Sequence, residues 1–133
     1  MSSWNDEELR TIFSKNTPLI DVRSPGEFLE GRIPFSINLP IMNDEERVLI
    51  GTCYKDHGQA AAINLGHELV SGRIKDERIE LWRKYIQENP QTEVFCFRGG
   101  LRSQITCECI RHGKKPITGG YKRLRRYFLS WLD

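Results

Sequence analysis

Short apolar runs alternate along the chain with segments of helical spacing. Leu19-Ile20-Asp21-Val22, Ser36-Ile37-Asn38-Leu39 and Glu93-Val94-Phe95-Cys96-Phe97 read as buried strands, and Lys115-Pro116-Ile117-Thr118 as a last short one. Asn5 or Asp6 caps a first helix that runs through Leu9 and Phe13. Ser24-Pro25 opens a turn, and Glu27 to Glu30 gives one or two helical turns ended by Gly31. Pro40 stops the second strand, and Asn43-Asp44-Glu45-Glu46 starts a helix at the head of a polar stretch, residues 43–57. Residues 60–70 form a helix with one apolar side, and residues 76–87 place Ile79, Trp82 and Ile86 on one face before Asn89-Pro90 breaks the pattern. Residues 101–111 are helical again, and Gly119-Gly120 leads into an amphipathic helix ending near Trp131. This alternation predicts an α/β fold with a mostly parallel sheet covered by helices on both faces.

The chain has 133 residues, 38% hydrophobic and 29% charged, which fits a single domain over residues 1–133 with one core. It contains no repeats or low-complexity linkers. No apolar run approaches the roughly 20 residues that span a bilayer, and the N-terminus lacks the basic and apolar regions of a signal peptide. These features argue against a membrane or secreted protein and for a cytoplasmic one. Cys53, Cys96, Cys107 and Cys109 include no Cys-x-x-Cys pair, so a zinc site is not expected and no metal is assigned. A core of this size needs no disulfide staples, and the thiols are expected to be reduced.

The formal charge of +2 hides an asymmetry. Residues 1–97 hold 11 basic and 16 acidic side chains, whereas residues 98–133 hold 9 basic and 2 acidic. Arg98, Arg102, Arg111, Lys114, Lys115, Lys122, Arg123, Arg125 and Arg126 make the C-terminal quarter basic. That suits an anionic partner such as RNA or a phosphorylated ligand; a solvated helix face is the competing reading.

Ligands of open α/β sheets bind beyond the carboxyl ends of the strands. Here a strand delivers Cys96 to that edge, followed by Phe97-Arg98-Gly99-Gly100-Leu101-Arg102-Ser103 and a helix. Glycines that turn successive N–H groups inward, a helix N-terminus and two arginines together make an anion cradle. A thiol in such a field is expected to ionise below its free value of about 8.5 and to act as a nucleophile. A buried structural cysteine followed by a glycine turn is the bland alternative.

This loop resembles the active-site loop of rhodanese-like sulfurtransferase domains. The stretch from Leu19 through Asp21-Val22-Arg23-Ser24-Pro25-Gly26-Glu27-Phe28, then Gly31-Arg32-Ile33-Pro34 and Ile37-Asn38-Leu39-Pro40, is similar to the first block of that family. The resemblance implies a three-layer sandwich around a sheet of about five strands. Many single-domain rhodaneses place four residues between the cysteine and the following arginine, but Cys96 and Arg102 are separated by five. Five is also the spacing of dual-specificity phosphatases of this fold, although Phe95 stands where those enzymes usually carry a histidine.

A narrower likeness lies in the middle and at the end of the chain. Leu39-Pro40-Ile41-Met42-Asn43-Asp44-Glu45-Glu46-Arg47, Gly51-Thr52-Cys53-Tyr54-Lys55-Asp56-His57-Gly58, Leu65-Gly66-His67 and Gly119-Gly120-Tyr121-Lys122-Arg123-Leu124-Arg125 resemble the rhodanese domain of the tRNA 2-selenouridine synthases. That family implies exchange of the sulfur of wobble 2-thiouridine in tRNA for selenium. Selenophosphate is the implied donor, the route passes through an S-geranylated intermediate, and geranyl diphosphate is needed for the full reaction. No cofactor is implied to be permanently bound. The family's usual second domain carries a phosphate-binding loop, yet no Gly-x-x-x-x-Gly-Lys-Ser/Thr occurs here. The expectation is therefore a separate P-loop domain or subunit as partner.

Cys96 is the expected nucleophile or chalcogen carrier, with Phe97, Arg98, Gly99, Gly100, Leu101, Arg102 and Ser103 as the loop that stabilises anionic charge. Arg102 is expected to fold back over the loop or brace it through a carboxylate, and Ser103 to cap the helix in preference to bonding the sulfur. Cys53 is a candidate second thiol at the loop mouth, with a structural role the competing reading. Tyr54, Lys55 and His57 are candidate tRNA contacts. Asp21 and Arg23 are expected to organise the site as an ion pair. A generic thiosulfate sulfurtransferase, a phosphatase and a non-catalytic rhodanese-like module remain alternatives.

Overall fold

A computed structural model describes residues 4–98, 100–110 and 114–132. Gly99, Arg111 and His112 of the sequence reading lie outside these residues. The elements run α1 (Asp6–Lys15), β1 (Leu19–Asp21), α2 (Pro25–Glu30), β2 (Ser36–Asn38), α3 (Asp44–His57), α4 (Gln59–Leu69), α5 (Gly72–Glu88), β3 (Glu93–Phe95), α6 (Leu101–Ile110) and α7 (Gly120–Leu132).

The three strands are parallel in the order β2-β1-β3, with Ile20 opposite Ile37 on one side and Val94 on the other. Because successive strand residues face opposite sides of a sheet, two half-cores form. Ile20, Val22, Val94 and Cys96 pack with Trp82 and Ile86 of α5 and Cys107 and Ile110 of α6. Leu19 and Phe95 pack on the other side with Leu9, Ile12 and Phe13 of α1 and Leu124 of α7. The result is helix, sheet, helix in three layers. Trp82 satisfies its indole N–H on the Leu39 carbonyl at 2.7 Å, which ties α5 to the end of β2.

The expected sheet of about five strands is corrected: among the described residues it has three. The 115–118 segment does lie along β3, where the Ile117 N–H donates to the Val94 carbonyl at 2.9 Å. Pro116 offers no N–H to extend a ladder, so the segment is not a strand.

Helix starts follow local chemistry. Asn5 and Asn43 each accept from the N–H three residues on, while Glu8 and Glu46 reach back to complete capping boxes. Within the polar stretch 43–57, Asn43 is the cap and Asp44–His57 is helical. Gly58, at φ +89°, turns the chain from α3 directly into α4, a conformation that side chains with a Cβ rarely adopt. Among the described residues no helix is long and apolar enough to cross a membrane.

Candidate active site

The strand that carries Cys96 ends one residue before it. The backbone of the following turn is held from below by α7: the Tyr121 N–H donates to the Cys96 carbonyl at 2.7 Å and the Lys122 N–H to the Phe97 carbonyl at 3.1 Å. Two otherwise orphan donors of a helix N-terminus are thereby used to fix the loop. Cys96 is 3% exposed, so its sulfur sits on the floor of the site.

Ser103 meets that sulfur. α6 begins at Leu101, and the Gln104 N–H bonds to the Gly100 carbonyl, so Ser103 stands in the first turn and not at the cap. Its fully buried hydroxyl lies 3.1 Å from Cys96 Sγ and 3.2 Å from the Gly100 carbonyl oxygen. The Cys96 sulfur also lies 3.8 Å from the Gly100 carbonyl oxygen. With the thiol protonated, the hydroxyl donates to Gly100 and accepts from sulfur. With the sulfur ionised, the hydroxyl can rotate and donate to it instead.

Arg102 does not point its charge freely into the loop. Its guanidinium forks onto Glu27 of α2, with Nη1 to Oε1 at 2.6 Å and Nη2 to Oε2 at 3.3 Å. Glu27 also accepts from the Ser24 N–H at 3.0 Å and the Ser24 hydroxyl at 2.9 Å, and Arg47 Nε lies 3.5 Å away. Burial alone would raise the Glu27 carboxyl. The Arg102 hydrogen bonds and charge, joined by those from Ser24, overcome burial and hold it down at about 2. Sequence reading anticipated a carboxylate brace for Arg102 without identifying which one. The capping-box spacing of Ser24 and Glu27 was the available signal.

Asp21 and Arg23 form a buried pair, with Arg23 Nη2 2.7 Å from Asp21 Oδ2 and Nε 3.0 Å from both carboxylate oxygens. Burial pushes the Asp21 carboxyl up against the pull of the guanidinium. Arg23 also donates to the Gly31 carbonyl at 2.7 Å and lies 3.8 Å from the centre of the Tyr121 ring. Tyr121 stacks on Phe97 at 6.4 Å, and the guanidinium of exposed Arg98 sits 5.3 Å from the centre of the Phe97 ring. A continuous stack thus joins the buried pair to the loop. Gly31 permits it, since a Cβ there would fall 2.6 Å from Tyr121 Oη.

Cys53, Tyr54, Lys55 and His57 are carried on α3, a helix, and not on a loop. Tyr54 is 58% exposed and lines an apolar cavity that Leu101 and Arg102 also line; Cys53, Lys55 and His57 are not among its lining residues. Cys107 is buried and its thiol is pushed up to about 12, first by burial and then by Glu93. Among the described residues no group of three or more His, Cys, Asp or Glu is placed to hold a metal ion.

Residues 5–125 match the Rhodanese-like domain family. The chain belongs to that family. This rhodanese-like chain is 49% identical over 130 residues to the tRNA 2-selenouridine synthase of Nitrosomonas europaea, covering 96% of this chain and 34% of that protein. It is 48% identical over 136 residues to the protein of the same name from Photobacterium profundum, covering 100% of this chain and 37% of that one. The Shewanella denitrificans protein of that name is 50% identical over 129 residues, covering 95% and 35%. The rhodanese-like chain therefore spans about a third of the length of these relatives. Among solved structures it is similar to the N-terminal domain of a Clostridium difficile 630 protein described as ATP/GTP binding, with a TM-score of 0.71 and 28% identity. That match covers 84% of this chain and 88% of that one.

Proposed function

We propose that this chain is the chalcogen-transfer domain of an enzyme that converts wobble 2-thiouridine of tRNA to 2-selenouridine. One observation carries the reading: a buried thiol at the carboxyl end of β3, beside a hydroxyl able to follow its ionisation, in a chain about half identical to proteins named for that reaction. Cys96 is the nucleophile or carrier. In its simplest step the Cys96 thiolate attacks the outer sulfur of a sulfane donor such as thiosulfate. Sulfite leaves with the bonding pair, and a persulfide remains on Cys96. Selenosulfate gives the perselenide by the same exchange.

In the full reaction selenophosphate supplies selenium, the thiouridine sulfur is first geranylated at the expense of geranyl diphosphate, and no cofactor stays bound. A P-loop domain or subunit, absent from residues 1–133, completes the enzyme in the cytoplasm. Phe97, Arg98 and Gly100 shape the mouth of the site, and Arg98 is an exposed cation at its rim. Arg102 acts through its fixed position against Glu27, which disfavours the phosphatase alternative, where the arginine must be available to phosphate. Tyr54, Lys55 and His57 of α3 and the exposed Lys122, Arg125 and Arg126 of α7 are RNA contacts.

Reconstitution of the chain with the P-loop part of the enzyme tests this. Selenophosphate and S-geranylated thiouridine RNA should yield selenouridine, and Cys96→Ser should abolish the product. Conversion by the isolated chain alone would overturn the partner requirement. Thiosulfate:cyanide transfer without any selenouridine formation in the reconstituted system would make the chain a generic sulfurtransferase.

A further inference from the structure

A series of stacked groups runs from the interior of the chain out to the Cys96 loop. Arg23, 2% exposed, is held by both carboxylate oxygens of Asp21 and by the Gly31 carbonyl. Its guanidinium carbon lies 3.8 Å from the centre of the Tyr121 ring, and Tyr121 stacks on Phe97 with 26° between the ring planes. The Arg98 guanidinium, over the Phe97 ring at 5.3 Å, is the outermost member and stands exposed two residues after Cys96. Arg23 and Arg102 each pair with a carboxylate, but among the described residues none holds Arg98.

The members below Arg98 are fixed in place. The Tyr121 and Lys122 N–H groups donate to the Cys96 and Phe97 carbonyls at 2.7 and 3.1 Å, which locks the two aromatic residues to one another through the backbone. A solvated arginine needs no such support. A guanidinium laid over a ring is weakly hydrated and uses one face of its plane, leaving the other for a second flat group. Space for that group lies over the loop: Gly100 is exposed, and a Cβ there would meet nothing within 4 Å. Unstacked RNA bases are taken up on aromatic rings and arginine planes in this way. Lys122, exposed on α7 and bonded through its backbone to the same loop, brings positive charge for the flanking phosphates.

We infer that Arg98 is the platform on which the base of the target nucleotide stacks, as the next layer on Phe97, Tyr121 and Arg23. The assignment rests on the proposed function and adds to it the residue that holds the base. The buried Asp21–Arg23 pair thereby anchors a stack that ends at the mouth of the site, so the platform is rigid before RNA arrives. Arg98 acts through its plane as well as its charge, and a lysine supplies only the charge.

The test is equilibrium binding of the 133-residue chain to two anticodon stem-loop RNAs, one with 2-thiouridine at the wobble position and one abasic there. The base should improve affinity by about ten-fold. Arg98→Lys should remove that margin while leaving the slope of log affinity against log salt unchanged, because the charge is kept. A third RNA with 2-aminopurine at the wobble position gives a second reading: its fluorescence should be quenched on binding the unaltered chain and not the variant. Equal affinity for the two RNAs overturns the assignment, as does a margin that survives in Arg98→Lys. A variant that weakens both RNAs alike would make Arg98 a phosphate contact and also overturn it. A margin present in a chain whose Cys96 never accepts a chalcogen would overturn the functional reading and leave the platform standing.

Discussion

Ser103 Oγ lies 3.1 Å from Cys96 Sγ and 3.2 Å from the Gly100 carbonyl oxygen, so one buried hydroxyl proton has two acceptors. Rotation of that hydroxyl exchanges a bond to the backbone for a bond to sulfur. The exchange needs no movement of the chain, because Gly100 keeps the Gln104 N–H at 3.2 Å. A thiolate formed on the floor of the site is thus met by a donor already in place.

Ser103→Ala should therefore slow uptake of sulfur from thiosulfate by about ten-fold, equivalent to ~1.4 kcal/mol for one hydrogen bond to a charged acceptor. Sulfite release under single-turnover conditions measures it. An unchanged rate would mean that the hydroxyl serves packing alone.

Glu27→Gln should weaken the fold as well as loosen Arg102. The Glu27 carboxyl is held at about 2 in the folded chain against an ordinary 4.5. A depressed folded value contributes stability that is fully present above the unfolded value and is lost as pH falls toward about 2. Its size is roughly 3 kcal/mol at neutral pH. Urea unfolding should show a steep acid loss between those two pH values in the unaltered chain and a flatter one in the variant. Parallel acid limbs would contradict the pairing.

Cys107 should resist iodoacetamide at pH 8 while Cys96 reacts. Burial, reinforced by Glu93, pushes the Cys107 thiol up to about 12, leaving almost no thiolate at that pH. Peptide mapping distinguishes the two, and modification of Cys107 at the rate of half-buried Cys53 would be inconsistent with its placement.

Replacing Lys122, Arg125 and Arg126 with glutamine should weaken RNA binding at low salt and reduce the slope of log affinity against log salt by about 2. These three side chains are exposed on α7, while Arg123 is drawn toward Asp6 at 3.6 Å and is left in place. A slope that does not move would assign them to solvent.

Much of this arrangement was legible in the chain itself. The alternation of short apolar runs with helical spacing fixed a parallel sheet with two covered faces, because Ile20 and Val94 must face away from Leu19 and Phe95. Capping residues located helix starts, as at Asn5 and Asn43. Strand number was overestimated, since an apolar run containing Pro116 can border a sheet without joining its ladder. Cys96 was legible from its position at a strand end. The helix-cap expectation for Ser103 failed because Gly100, three residues earlier, already begins the hydrogen-bonding of α6. Glu27 was missed as the partner of Arg102, for the two are 75 residues apart and only the tertiary fold brings them together.

The most direct measurement is the mass of the intact chain, with peptide mapping, after incubation with thiosulfate or selenosulfate. A single sulfur or selenium on Cys96, lost to cyanide and absent in Cys96→Ser, is the predicted result. A chain that gains no chalcogen, or gains it on Cys53 regardless of Cys96, would contradict the account.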